Sequence, residues 1–300
     1  MQQFQGVHVA LVTPRGKQGE VDFGAMFELL DHCAVKGVGG VVLFGEEGEG
    51  PVFTIEERSR LVYLAVKRSR VPVLVGVGSP ALDISVALAH QACDAGAAAI
   101  LLPPPFFYDY EPGEIVEYSM QFARQMGSAA PVLFYNTPFS TSALAAETAL
   151  ELLGTGRFAG MVEAGAERQT FACLESAAAC GKFQLLAGHD ALFVDARRAG
   201  CGAVSAAACA VPELAVAIDR AIRAADGAEI DRLGGLWSEF LEWADRFPRP
   251  VIVKTATALR GLKTGGLPAP LSPAKQELLK EFGEWFRGWE PAVEGLSAHA

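Results

Sequence analysis

Short, continuously apolar runs alternate along the chain with longer stretches in which apolar residues recur every three or four positions. Parallel strands that are covered on both faces give such unbroken apolar runs, whereas half-exposed strands alternate apolar and polar residues. We therefore predict eight buried strands, at Val7–Pro14, Gly40–Gly45, Val71–Gly78, Ala98–Pro104, Val132–Asn136, Ala159–Glu163, Phe183–Gly188 and Ala203–Ala207.

The stretches between these runs have the apolar spacing of amphipathic helices. Glycine follows several of them, and glycine accepts the left-handed backbone that ends a helix. Thr54 and Glu57 have the spacing of a capping box at the start of one helix. We predict helices at Asp22–Val35, Thr54–Arg68, Ala81–Ala95, Pro112–Met126, Ala143–Leu153, Glu167–Ala179, Ala191–Ala199 and Pro212–Ala224.

Strand and helix alternate eight times up to about Ala225. This alternation predicts an α/β fold, a (β/α)8 TIM barrel, with a doubly wound open sheet as the alternative. The rest of the chain has no strand-like run. We predict that residues 1–225 form the barrel and that residues 226–300 form a C-terminal three-helix segment packed on the barrel, at Ala228–Arg246, Pro250–Leu262 and Ser272–Trp289.

Composition and charge limit the kinds of binding partner and the cellular compartment that we expect for this protein. The 300 residues are 51% hydrophobic and carry a net charge of −10, which argues against binding to nucleic acid or to an anionic membrane. No apolar run reaches the roughly 18 residues that cross a bilayer, and Met1–Gly6 lacks the basic and apolar regions of a signal peptide. We predict a cytoplasmic protein with reduced core thiols, at Cys33, Cys93, Cys173, Cys180 and Cys209.

Two of the predicted strands carry recognisable motifs. The fifth strand ends Tyr135-Asn136-Thr137-Pro138, and the sixth contains Gly160-Met161-Val162-Glu163-Ala164. They resemble the Tyr-Asn-x-Pro and Gly-Ile-Lys-Glu-Ala motifs of the dihydrodipicolinate synthase/N-acetylneuraminate lyase family of pyruvate-dependent aldolases and lyases. The resemblance covers nearly the whole chain and implies a TIM barrel with a C-terminal helical appendage. It also makes Tyr135 a candidate catalytic acid or base.

Position 162 departs from the family motif. In the family a lysine here forms a Schiff base with pyruvate, and the valine side chain has no amine with which to do so. None of the lysines of this chain falls at the carboxyl end of a predicted strand, and Lys254 lies in a segment that resembles a structural part of the family fold. We therefore predict that the family's Schiff-base chemistry is lost or altered.

A second departure follows the second predicted strand. Glu46 and Glu47 stand where the family has two threonines that hold the carboxylate of pyruvate. Ionised glutamate only accepts hydrogen bonds, and it repels a nearby carboxylate by about 1–4 kcal/mol. The pair is therefore either an acidic loop exposed to solvent or a pocket for a cation. Together with Glu163 and His189 it could also hold a divalent metal ion, and no other cofactor is predicted.

The resemblance also assigns roles to other positions. Phe107 keeps the bulk, but not the hydroxyl, of a family tyrosine that crosses the subunit interface, and Val204 stands where the backbone faces the substrate. Ser140 lies in the segment where dihydrodipicolinate synthases carry an arginine that binds the second substrate. Relatives are commonly dimers or tetramers, so the resemblance implies a homodimer or homotetramer.

Three hypotheses for function follow. The first is an enzyme with changed chemistry, a carbon–carbon or carbon–oxygen lyase that does not use the usual lysine and binds a small molecule. The second is a non-catalytic relative that binds a small molecule or serves as a structural subunit. The third, which ranks last, is a pyruvate aldolase with a relocated lysine. The candidate ligand-binding residues are Glu46, Glu47, Phe107, Glu163 and Val204.

Overall fold

A computed structural model describes residues 4–296 of the chain. The prediction that the chain has no signal peptide falls partly on residues 1–3, and the predicted C-terminal segment includes residues 297–300; both stretches lie outside the described residues. Eight parallel strands form one closed barrel in the order of the chain. The strands β1 to β8 are Val7–Ala10, Gly40–Leu43, Val73–Gly76, Ala99–Leu102, Val132–Asn136, Gly160–Glu163, Gln184–Ala187 and Gly202–Ser205.

Helices follow the strands and surround the barrel. The predicted (β/α)8 fold is confirmed, and the doubly wound alternative is wrong because β1 pairs with β8 and closes the sheet. Short 3-10 turns follow β2, at Glu46–Gly48 and Gly50–Val52, and β7, at Asp190–Leu192. Helices α1 to α9 are Phe23–Val35, Ile55–Arg68, Leu82–Ala95, Pro112–Met126, Ala146–Gly154, Arg168–Ala178, Phe193–Arg198, Ala207–Ala210 and Pro212–Arg223.

Four more helices follow the barrel: α10 at Gly227–Ala244, α11 at Val251–Leu259, α12 at Pro273–Trp289 and the short α13 at Pro291–Glu294. Helix α10 contacts α9, and α11 contacts α8. Helix α12 buries Phe282, Phe286 and Trp289, and the last two rings pack on Phe240 of α10. The division of the chain at about residue 225 stays a prediction.

The core has two parts. Side chains that point into the barrel form one cluster, which includes Leu133, Tyr135, Val162 and Val204. A larger cluster fills the space between the strands and the helices. Successive residues of a strand point to opposite faces, so the residue after Val162 points away from the barrel interior. This alternation decides which of the predicted site residues can meet.

Two local predictions have different outcomes. The capping box of Thr54 and Glu57 is confirmed at the start of α2. The prediction that the cysteines are core thiols is wrong for Cys173 and Cys180, which are exposed. The short helix α6 buries only Phe171 and Leu174, so Cys173 faces the solvent. No helix in the described part of the chain is both long and apolar enough to cross a membrane.

Candidate functional site

Two cavities lie at the carboxyl ends of the strands, which we call the barrel mouth. The inner cavity, of about 120 Å³, is lined by residues that include Phe44, Gly45, Glu46, Arg58, Phe106, Tyr135, Thr137, Ser140 and Thr141. The outer cleft, of about 750 Å³, is lined by residues of α7 and α10, by residues 245 and 247–253, and by Glu47, Phe139, His189 and Asp190. Glu46 and Glu47 therefore belong to different cavities.

The turn that carries the two glutamates is held close to the neighbouring strand. Phe44 has a positive φ of 52°, and its carbonyl oxygen would lie only 2.1 Å from a Cβ atom at Gly76. Only glycine at position 76 permits this approach. The turn directs Glu46 and Glu47 into the molecule, and their side chains are only 10% and 4% exposed. The alternative that they form a solvent-exposed acidic loop is therefore wrong.

The cation beside these glutamates comes from the chain itself. Nη1 of Arg249 donates to Oε2 of Glu46 at 2.8 Å and to Oε1 of Glu47 at 3.4 Å. The guanidinium also lies over the ring of Phe139, with 5.0 Å from Cζ to the ring centroid. Sequence reasoning missed Arg249 because some 200 residues separate it from its partners. No local pattern marks such a pair.

Burial and mutual repulsion set the charges of this cluster. The pKa of Glu47 is raised to about 8, mainly by burial and further by the charge of Glu46. Burial also raises the pKa of Glu46, and the adjacent Arg249 opposes that rise. Near neutral pH, Glu47 is therefore mostly protonated, and the positive charge of Arg249 lies beside Glu46. The cluster is less acidic than the two glutamates alone suggest.

Tyr135 and Val162 lie side by side inside the barrel, on neighbouring strands. They are register partners on β5 and β6, and Val162 is fully buried. The Tyr135 hydroxyl accepts a hydrogen bond from the backbone N–H of Glu46 at 3.4 Å. Burial, with the negative charges of Glu47 and Glu46, raises the pKa of Tyr135 well above its usual value. The phenol therefore stays protonated and can donate.

Glu163 does not join the other predicted site residues. It follows Val162 on β6 and points to the opposite face, where it lines neither the inner cavity nor the outer cleft. Its Oε2 accepts from Nδ2 of Asn136 at 2.8 Å and its Oε1 from the N–H of Gly165 at 2.6 Å. Asn136 also exchanges hydrogen bonds with the backbone of Leu144. These contacts hold the loops after β5 and β6 together.

The remaining predicted positions are scattered. Val204 is buried in the barrel interior beside His8 and lines neither cavity at the barrel mouth. Phe107 is 77% exposed, has a positive φ of 91°, and packs edge-on against Tyr108. Nδ1 of His189 accepts from the N–H of Ala191 at 3.2 Å.

The predicted metal site is not assembled. Within residues 4–296 no group of three histidine, cysteine or acidic side chains could hold a metal ion. Glu163 points away from the other candidates, and Arg249 already pairs with Glu46 and Glu47.

No lysine among the described residues lines the inner cavity or the outer cleft. Lys254, on α11, is 2% exposed and forms an ion pair with Glu49. Burial lowers its pKa, whereas Glu49 raises it.

Arg58 is a second functional candidate that sequence reasoning missed. It is 4% exposed, and it donates to the carbonyl oxygens of Gly78 and Gly76 at 3.1 and 3.2 Å. Its Cζ lies 5.4 Å from the centre of the Phe44 ring. A signal was available, because Arg58 lies three residues before Leu61 on the apolar face of α2. A charged residue within such a face calls for a partner or a function.

Comparisons with known proteins agree with this architecture. The model of the dihydrodipicolinate synthetase family matches residues 3–287. The chain is 31% identical over 297 residues to the 4-hydroxy-tetrahydrodipicolinate synthase of Salinibacter ruber, covering 94% of this chain and 96% of the relative. It is 32% identical over 280 residues to the enzyme of the same name from an Azoarcus species, covering 89% and 92%.

A solved structure of the same enzyme is also similar. The 4-hydroxy-tetrahydrodipicolinate synthase of Methylacidiphilum fumariolicum superposes with a TM-score of 0.86 at 28% identity, over 97% of this chain and 99% of that one. The family model, the two sequence relatives and the solved structure therefore all match both the barrel and most of the C-terminal helices. The chain belongs to the dihydrodipicolinate synthetase family.

Proposed function

We propose that this protein binds a small molecule at the barrel mouth without forming a Schiff base, so that the aldolase and lyase chemistry typical of its family is lost. The observation that carries the proposal is Val162, which stands at the position of the family lysine and points into the barrel beside Tyr135. A valine side chain offers no nucleophile to a ketone. Two cavities lie at the barrel mouth and leave room for a small molecule.

The groups that surround Val162 support the same proposal. Glu46 and Glu47 replace the threonines that hold a pyruvate carboxylate in the family, and both are engaged by Arg249. Ser140 lines the inner cavity but lacks the guanidinium that binds the second substrate in dihydrodipicolinate synthases. The synthase activity in the names of the relatives therefore does not transfer to this chain in our proposal.

A relocated lysine is the competing hypothesis, and the geometry disfavours it. Lys254 is the one buried lysine among the described residues, and its amine is paired with Glu49 rather than exposed to either cavity at the barrel mouth. To form an imine, this amine would have to leave a buried carboxylate without its partner, which is strongly unfavourable.

Borohydride trapping tests the proposal. The protein is incubated with pyruvate and sodium borohydride, and the intact mass is measured, with a lysine-carrying relative treated in parallel as the positive control. We expect the mass of the relative to increase by one reduced pyruvate adduct and the mass of this protein to stay unchanged. A trapped adduct, mapped by peptide sequencing to any lysine of the barrel, would refute the proposal.

We further propose that the protein is a cytoplasmic homodimer or homotetramer. The exposed rings of Phe107 and Tyr108 support self-association, because exposed aromatic clusters commonly mark interfaces. Light scattering after size-exclusion chromatography measures the mass in solution. A monomer at micromolar concentration would contradict the assembly that we propose.

A further inference from the structure

Arg58 is a buried cation without an anionic partner. Its hydrogen bonds go to two neutral backbone carbonyls, and no acidic side chain of residues 4–296 forms an ion pair with it. Burial alone lowers the pKa of Arg58, to about 10, so no nearby charge offsets the cost. An arginine does not lose its proton in a protein, and an uncompensated buried charge is strongly unfavourable.

The hydrogen-bonding capacity of this guanidinium is also incomplete. Nε of Arg58 is buried and has no hydrogen-bond partner among the described residues. Buried donors are rarely left unpaired in folded proteins. Because Arg58 lines the inner cavity, an anionic ligand in that cavity is in a position to supply the missing negative charge.

A second donor lines the same cavity. The Tyr135 hydroxyl accepts from the N–H of Glu46, and no acceptor for its own proton is found in the described chain. The other hydroxyls are already engaged, because those of Ser140 and Thr141 donate to the carbonyl oxygen of Thr137. The carboxylate of Glu46 is held by Arg249. The cavity therefore presents Arg58 and Tyr135 as its unsatisfied groups, and both are donors.

The volume limits what this cavity can hold. The 120 Å³ cavity is several times the space that one water molecule needs, about 10–15 Å³, so it has room for a ligand of a few heavy atoms. A carboxylate with one further carbon is of this size and has two acceptor oxygens. Charge-assisted hydrogen bonds to arginine favour this group in particular.

We propose that the inner cavity binds the carboxylate group of a small ligand, held by Arg58 and by the hydroxyl of Tyr135. The inference rests on the proposed function, since the ligand is held without an imine. It places the anion-binding groups on α2 and β5, whereas the family places them on the loop after β2. The alternative is that the two carbonyl groups and the Phe44 ring stabilise the buried charge of Arg58 without any ligand.

Acetate and acetamide are the matched probes, because they share a shape and differ in charge. Binding is measured by calorimetry and by thermal shift in buffers of constant ionic strength. We expect acetate to bind saturably and raise the melting temperature, and acetamide to do neither. Tyr135→Phe removes one donor to a charged group, so we expect acetate to bind about tenfold more weakly. Tyr118→Phe is the control, because that hydroxyl bonds Ser85 away from the cavity.

Two results would overturn the carboxylate site. One is that acetate and acetamide have the same effect on the wild-type protein. The other is that Tyr135→Phe binds acetate as tightly as wild type and Tyr118→Phe do. Acetate has no ketone and cannot form an imine, so this titration judges the carboxylate site alone. Borohydride trapping with pyruvate judges the proposed function separately.

Discussion

Replacement of Arg249 by methionine tests how the barrel mouth is held together. Methionine keeps an unbranched apolar stem over Phe139 but removes the cation that contacts Glu46 and Glu47. Two nearly buried carboxyl groups are then left beside each other with no positive partner. We expect the protein to fold but to lose stability in a manner that depends on pH.

The expected loss follows from burial and exposure. Removing one partner of a buried ion pair typically destabilises a protein by about 3–5 kcal/mol. The Arg249 side chain is 37% exposed, so water screens the interaction and we expect about 1–3 kcal/mol at about pH 8. The pKa values of Glu46 and Glu47 are raised above 4.5 in the folded protein. As the pH falls from about 8 to 5, Glu47 therefore becomes protonated and loses its charge, and the loss of stability shrinks.

Urea unfolding at about pH 5 and at about pH 8, monitored by tryptophan fluorescence, measures the loss of unfolding free energy at each pH. Arg246→Met is the matched control, because Arg246 lies over Trp243 and lines neither cavity at the barrel mouth. The triple variant with Glu46→Gln and Glu47→Gln should recover most of the stability lost at pH 8. The same loss at both pH values, or no recovery in the triple variant, would show that Arg249 does not act through these carboxylates.

Three further outcomes are expected. Val162→Lys should give no trapped pyruvate adduct unless Glu46 and Glu47 are also changed to threonine; mass spectrometry of the single variant decides this. The unfolding free energy of the wild-type protein should fall as pH rises from about 5 to 8. The folded-state pKa of Glu47 is about 8 and exceeds the unfolded value, so the folded protein binds this proton more tightly, and that stabilisation is lost as the proton leaves. In urea unfolding, Glu47→Gln should make the unfolding free energy less dependent on pH. Glu163→Ala should cost about 1–3 kcal/mol, because Nδ2 of Asn136 and the N–H of Gly165 each lose an acceptor. It should leave acetate affinity unchanged, and an altered affinity in calorimetry would place Glu163 in the site after all.

Local patterns were sufficient for the fold. A buried parallel strand must be apolar on both faces, so eight apolar runs separated by amphipathic stretches predict the barrel. The same patterns located Tyr135 and Val162 at register positions on neighbouring strands. Sequence alone groups Glu163 with Glu46 and Glu47, because all three lie near strand ends. Strand alternation separates them, since the residue after an inward-pointing one points outward.

What the sequence by itself determined is therefore the barrel and the absence of an amine at position 162. The tertiary structure decided the electrostatics of the barrel mouth. Glu46 and Glu47 form a free acidic pair in the sequence, and only folding brings Arg249 beside them. The sequence places Arg58 on the apolar face of α2, but only the folded structure shows that it is buried without a counter-ion. Apolar periodicity is local along the chain, whereas charge compensation depends on residues that only folding brings into contact.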